Sequence, residues 1–157
     1  MDDKAIGSLE DIWPLQAELN RKAGFDTQAI GAELAAAQRS GALEGSPAAQ
    51  AAGRALKNYI DALVSECHEL QDCLWWKHWY KEARQGRQHE LHDLQNARVE
   101  AVDMLFFWVS ICQLLGLSCD DVYRLYGQKL GVNHRRQDQD RTQAEHSRHE
   151  HENRNVK

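Results

Sequence analysis

An all-α fold, a compact bundle of four to five main helices, is predicted by three observations. No segment alternates apolar and polar residues with a period of two, the pattern of a half-buried strand. Alanine, leucine, glutamate and glutamine dominate and β-branched residues are sparse, which favours helix by propensity. Start and stop signals frame stretches whose apolar residues recur at spacings of three and four. The 157 residues, with only two prolines and ten glycines, suit one domain with a real core.

SLEDIWPLQAELNRKAG reads as the first helix. Ser8 with Asp11 resembles a capping box for an early start. Pro14, however, suits only a first turn, so the main start is expected near Trp13, with an end at about Lys22 and Gly24 as the stop. Asp26 caps an alanine-rich second helix, Thr27 to about Arg39. The stretch 40–47 is a loop. Ser46 then caps, and Pro47 opens a long helix that reaches about Cys73. Ile60, Leu63, Val64, Cys67 and Leu70 mark its expected buried face.

The polar tract 77–88, with Gly86, reads as a connection. A strong helix is expected from about Glu90 to Leu115, with Leu94, Ala97, Ala101, Met104, Leu105, Trp108, Ile111 and Leu115 on a wide apolar face. Gly116 ends it. Ser118, three residues before Asp121, starts a last helix that runs to about Arg135. The domain is expected to span 1–137. The segment 138–157 has almost no apolar residue and reads as a polar, disordered tail. Its His146, His149 and His151 fit a solvated tail better than a metal site.

Composition excludes several classes of function. The formal charge is −5 with both signs interspersed, which gives no footprint for nucleic acid or a membrane surface. The longest apolar run, within 104–117, is too short for a bilayer and contains Ser110 and Gln113. The N-terminus lacks a basic region followed by an apolar one, so no secretory signal is expected. Cys67, Cys73, Cys112 and Cys119 form no CxxC pair and read as reduced, mostly buried thiols. A soluble cytoplasmic protein is expected.

Chemistry concentrates in two carboxylate pairs. Glu66 and Glu69 are three apart, as are Glu100 and Asp103, so each pair lies on one helix face, one turn apart. Both pairs lie on the most apolar helices, where uncompensated charge is expensive. Acidic pairs at this spacing also occur on solvated faces. If the two helices pack antiparallel, four carboxylates converge, a donor set for a hard divalent cation, Mg²⁺ or Mn²⁺.

Other residues suit a nucleotide near such a metal. Lys77, amid Trp75, Trp76 and Trp79, suits a phosphate. Tyr126, Lys129, Asn133 and Arg136 form one polar stripe on the last helix, suited to a phosphate clamp or simply to solvent. Gln16 and Asn20, four apart, offer the donor and acceptor that a pyrimidine edge requires, though they too read as ordinary surface residues.

These segments together resemble the dimeric all-α dUTPases, within the wider MazG-like superfamily of nucleoside triphosphate pyrophosphatases. LQAELN, ECHEL with WWK, NARVEAVDMLFFWVS and YGQKLGVNHRRQ occur in the family's order over roughly residues 13–137. The resemblance implies that Glu66, Glu69, Glu100 and Asp103 ligate Mg²⁺. It places Gln16, Asn20 and Trp76 at the deoxyuridine, and Asn96 on the sugar or base side. Lys77, Tyr126, Lys129, Asn133 and Arg136 fall to the phosphates.

It further implies a homodimer that hydrolyses dUTP, and often dUDP, to dUMP. The chain departs from the pattern at 26–50, which matches no family signature. Phe106-Phe107 stands where a histidine-phenylalanine pair is common, and the stretch between Lys77 and Leu94 is short.

Hydrolysis of a phosphoanhydride needs neutralised phosphate oxygens and an activated water, and bound metal provides both. A carboxylate not fully engaged with metal orients that water or takes its proton: Glu69, with Glu66 as its competitor. Alternatives are a pyrophosphatase for another nucleotide such as dCTP, and a non-catalytic helical dimer. Phe106, Phe107 and Trp108 lie around three sides of their helix, more than one bundle buries, which leaves room for a partner surface.

Overall fold

In a computed structural model, residues 6–138 and 156 are described. The described residues form helices α1 (Leu9–Lys22), α2 (Thr27–Arg39), α3 (Pro47–Asp72), α4 (Leu94–Leu114) and α5 (Cys119–Asp138), with a π-helical turn at Ala83–Arg87 between α3 and α4. The fold is all-α. The chain divides into two compact units, Met1–Gly116 and Leu117–Lys157. Apart from Asp138 and Val156, the expected polar tail with its three histidines lies outside the described residues.

Caps set the helix starts. Asp26 Oδ1 accepts from Ala29 N at 3.0 Å and Ser46 Oγ accepts from Ala49 N at 3.0 Å. The start of α1 corrects the expectation of Trp13: the helix begins at Leu9 and holds Pro14 inside it. Ser8 Oγ accepts from Asp11 N, while Asp11 Oδ2 accepts from Gly7 N at 3.1 Å and from Ser8 Oγ at 3.0 Å. That reciprocal cap secures the first turn, so the helix tolerates the one bond Pro14 cannot donate.

The start of α4 is also later than expected, at Leu94 instead of about Glu90. Residues 89–92 pair with the chain leaving α3, after a turn that holds His89 in the left-handed region at φ +67°. Trp75 N donates to Glu90 O, His89 N to Trp75 O and His92 N to Cys73 O, each at 3.0 Å, around an isolated antiparallel bridge between Leu74 and Leu91. Asp93 Oδ1 then accepts from Asn96 N at 2.9 Å and the helix begins.

In the first unit α3 packs most extensively on α4, α2 touches both, and α1 lies against α4 and α2. The pair α3–α4 is antiparallel: Tyr59 meets Phe107 with ring centroids 6.3 Å apart, Glu66 meets Glu100 and Asp103, and Asn96 Nδ2 reaches Cys73 Sγ at 3.5 Å. The core is built largely of small residues, Ala17, Ala52, Ala55, Ala97 and Cys112, with Trp13, Val109 and Leu114. The end of α4 crosses α2 so closely that a Cβ on Gly31 would stand 1.9 Å from Gln113 O.

The buried faces differ from the sequence expectation. On α3, Ile60, Val64 and Cys67 are exposed, while Tyr59, Ala62, Leu63, Glu66 and Leu70 form the half-buried stripe. Two apolar stripes lie side by side there, and Tyr59, wedged between Phe25 and Phe107, selects which one faces α4. On α4, Leu94, Trp108 and Leu115 are exposed, as are Val99, Val102 and Phe106. The buried side of α4 carries Ala97, as expected, with Val109, Cys112 and Leu114 and the polar Glu100, Ser110 and Gln113. Cys73, Cys112 and Cys119 are buried and Cys67 is exposed, and none of the four is in a disulfide. Among the described residues no single helix is long and apolar enough to cross a membrane.

In the second unit, Ser118 Oγ accepts from Asp121 N at 3.1 Å, and Asp121 Oδ2 accepts from Ser118 N at 3.0 Å and from Ser118 Oγ at 2.7 Å. This capping box starts α5.

Candidate metal centre and its cavity

The antiparallel pairing of α3 and α4 brings three carboxylates together. Glu66, Glu100 and Asp103 each place a ligand oxygen within 4.8 Å of the others. Glu100 is buried, and Glu66 and Asp103 are half-buried. The Glu66 carboxyl is raised above its ordinary value, first by desolvation, then by repulsion from Glu69, Asp103 and Glu100, and by a hydrogen bond with Glu100. No lysine or arginine is paired with any of the three among the described residues. An all-oxygen, all-anionic donor set with no cation beside it fits a hard divalent ion.

Glu69, the fourth expected ligand, stands outside this cluster. It is exposed and accepts from Ser65 Oγ at 3.4 Å. Glu69 lies on the flank of the stripe that faces α4, so its charge is felt at Glu66 while its oxygens stay apart.

Glu66 and Asp103 also line a cavity of about 490 Å³. Its walls also include Phe25, Tyr59, Phe106 and Phe107 and the amide residues Gln16, Asn20 and Asn58. The two α1 amides are not ordinary surface residues: Gln16 is 5 % and Asn20 4 % exposed. They belong to a buried hydrogen-bonded chain. Gln16 Nε2 donates to Asn20 Oδ1 at 3.0 Å and to Ser110 Oγ at 3.1 Å. Asn20 Nδ2 donates to Thr27 Oγ1 at 3.1 Å and to Ser110 Oγ at 3.0 Å. Thr27 Oγ1 donates to Gln113 Oε1 at 2.6 Å, and Gln113 Nε2 donates to Trp13 O at 2.8 Å.

Trp76 and Lys77 line a different cavity, of about 420 Å³, with Asp72, Trp75, Tyr80, Glu82 and His92. Trp76 Nε1 donates to Asp72 Oδ1 at 2.8 Å, and Lys77 Nζ lies 3.9 Å from the same oxygen and 5.3 Å from the Trp76 ring centre. The structure therefore does not join these two residues to the Glu66 cavity. Asn96 caps its own helix and contacts Cys73 Sγ, and lines neither cavity. Tyr126, Lys129, Asn133 and Arg136 are all on α5, in the second unit; Tyr126 and Asn133 are exposed there, and Lys129 and Arg136 half-buried.

Several residues of the cavity were not singled out from sequence. Asn58, Tyr59 and Ala62 precede Glu66 by eight, seven and four residues on α3, and helical spacing from a metal ligand is the signal that points to them. Phe25 of the cavity carries no such local signal, nor do Thr27, Ser110 and Gln113 of the hydrogen-bonded chain behind it. No family model, curated protein or solved structure matches the chain significantly.

Proposed function

We propose that this chain is a metal-dependent pyrophosphohydrolase that converts dUTP to dUMP and pyrophosphate, and accepts dUDP. It would remove dUTP from the cytoplasmic nucleotide pool while supplying dUMP. The observation that carries the reading is that Glu66 and Asp103 belong at once to the three-carboxylate cluster and to the wall of a cavity also lined by Phe25, Tyr59, Phe106, Phe107 and the amide residues Gln16, Asn20 and Asn58. A phosphate chain at the carboxylates with a planar base between Tyr59, Phe106 and Phe107 matches that division of chemistry.

Glu66, Glu100 and Asp103 would hold Mg²⁺, or Mn²⁺ in its place. The cation would neutralise phosphate oxygens and acidify a bound water. Glu69, one turn from Glu66 and outside the cluster, would take the proton of the attacking water, with Glu66 as the alternative base. Gln16 and Asn20 are taken as the contacts to the deoxyuridine, while Trp76 and Lys77, which line the second cavity, and Asn96, which lines neither, are not assigned to this site. These assignments rest on the resemblance to the dimeric dUTPases. So does the homodimer, to which the exposed Val99, Val102, Phe106 and Trp108 of α4 add apolar surface for a second copy.

A panel of deoxynucleotides incubated with Mg²⁺ and separated by chromatography tests the reading. Turnover of dUTP to dUMP is expected. Glu66→Gln and Asp103→Asn should each lose activity at or beyond the roughly 10–100-fold that even outer-shell metal partners carry. Absence of turnover for every deoxynucleotide, or full turnover in both variants, would contradict it.

A further inference from the structure

The buried polar chain behind the cavity has a direction, and that direction bears on which base is accepted. Trp13 O can only accept, so Gln113 must turn Nε2 toward it and Oε1 toward Thr27. Thr27 therefore donates to Gln113, and its oxygen is left to accept from Asn20 Nδ2. Asn20 then presents Oδ1 to Gln16 Nε2.

A second anchor imposes the same order. Ser110 Oγ donates to Phe106 O at 2.9 Å, shorter than its 3.4 Å approach to Asn20 Oδ1. Its oxygen accepts from both amide nitrogens. Both hydrogens of Gln16 Nε2 are thereby engaged, and so are both of Asn20 Nδ2. The group left over at the end of the chain is Gln16 Oε1, an acceptor. It is not sealed off: among the described residues the buried side-chain polar atom without a partner is Trp75 Nε1 alone, and Gln16 lines the cavity.

We infer that Thr27, Ser110 and Gln113 are positioning residues that fix Gln16 as a hydrogen-bond acceptor at the cavity, and so select a ring bearing an N–H donor. Uracil offers such a donor at its ring nitrogen between two carbonyls. Cytosine offers a bare acceptor at the same place, which would face Gln16 Oε1 lone pair to lone pair. The inference rests on the proposed nucleotide reading and deepens it: base choice is set by two backbone carbonyls, Trp13 O and Phe106 O, read out through four side chains.

The test compares equilibrium binding of dUMP and dCMP, in the presence of Mg²⁺, by the full-length protein and its Thr27 variants. Wild type should favour dUMP. Thr27→Ser keeps the hydroxyl and should keep the preference. Thr27→Val cuts the chain, frees Asn20 and Gln16 to rotate, and should lower the dUMP-to-dCMP ratio by roughly tenfold, the scale of one hydrogen bond. Ser110→Ala removes the second anchor and gives the same readout should Thr27→Val not fold. A loss of packing alone would weaken both ligands alike.

An unchanged ratio in the folded Thr27→Val or Ser110→Ala protein would overturn the inference. So would equal wild-type affinities for the two nucleotides, even with dUTP hydrolysis intact. Wild type binding neither nucleotide and hydrolysing none would remove the nucleotide reading itself, and this inference with it.

Discussion

Glu66 carries opposing demands. Ionised, it must share a partly desolvated space with Glu100 and Asp103; protonated, it cannot serve a cation. Its folded-state pKa is raised, so its ionisation opposes folding: no penalty exists below its ordinary value of 4.5, and one develops as pH rises through and above it. At neutral pH without metal, Glu66→Gln should therefore raise Tm, since the amide removes a charge yet still donates to Glu100. Wild type should gain Tm in Mg²⁺ or Mn²⁺, and the same variant should abolish that gain. Thermal scans in chelator and in excess cation check both, and a Tm that falls in chelator would contradict the account of the site. Cation affinity should also weaken as pH falls toward 4.5, because the raised Glu66 carboxyl takes up its proton before that value is reached.

Much of this was legible in the residues. Two acidic pairs lie on the two most apolar helices, and an antiparallel packing of those helices, once it occurs, leads to the cluster. The exclusion of Glu69 was not legible, because it depends on which of two adjacent α3 stripes faces α4. Nor was the burial of Gln16 and Asn20: Ser110 lies 94 and 90 residues from them, and Thr27, 7 residues from Asn20, is itself held by Gln113 86 residues on.

Among the elements, the crossing of α2 over the end of α4 is the tightest constraint. A Cβ at Gly31 would lie 1.9 Å from Gln113 O and 2.9 Å from Gly116 N, both backbone atoms. Gly116 has φ +73°, and a Cβ there would lie 2.8 Å from Gly31 O. Gly31→Ala must push α2 off α4, at a cost of about 3 kcal/mol or more. Denaturant unfolding measures it; a cost below about 1 kcal/mol would show that the helices separate freely. Because Gln113 is both the clashing residue and a member of the polar chain, the variant should also loosen base preference.

At the start of α5, hydrogen bonds from Arg124 and Ser118 hold Asp121 at about 2, below its ordinary 3.8. A depressed carboxyl stabilises above its unfolded value and loses that contribution as pH falls from about 4 to about 2. Asp121→Asn should speed hydrogen exchange in the first turn of α5 at pH 6, with the difference from wild type gone near pH 2. Caps of this kind were the most readable elements in the sequence. Ser46, Asp26 and Ser118 all start the helices expected of them, because their partners lie three residues away. The starts of α1 and α4 were less readable. The first turns on a proline outweighed by a capping box, the second on pairing between segments 14–19 residues apart.

For the whole molecule, apolar surface and the cavity meet at Phe106, which lines the cavity and is 43 % exposed, one turn from Val102 at 53 %. A second copy covering this face of α4 would shield the base end of the site. Light scattering should give twice the 18.0 kDa chain mass, and Val102→Glu should return the chain to a monomer with weakened nucleotide affinity.

The all-α class followed from composition and periodicity alone, since no other period was present to compete. The direct test of the central claim is a ³¹P NMR time course of dUTP with the wild-type protein and Mg²⁺. The expected result is loss of the three triphosphate signals with growth of dUMP and pyrophosphate, stopped by chelator and by Asp103→Asn. Unchanged dUTP, or hydrolysis that persists in Asp103→Asn, would contradict it.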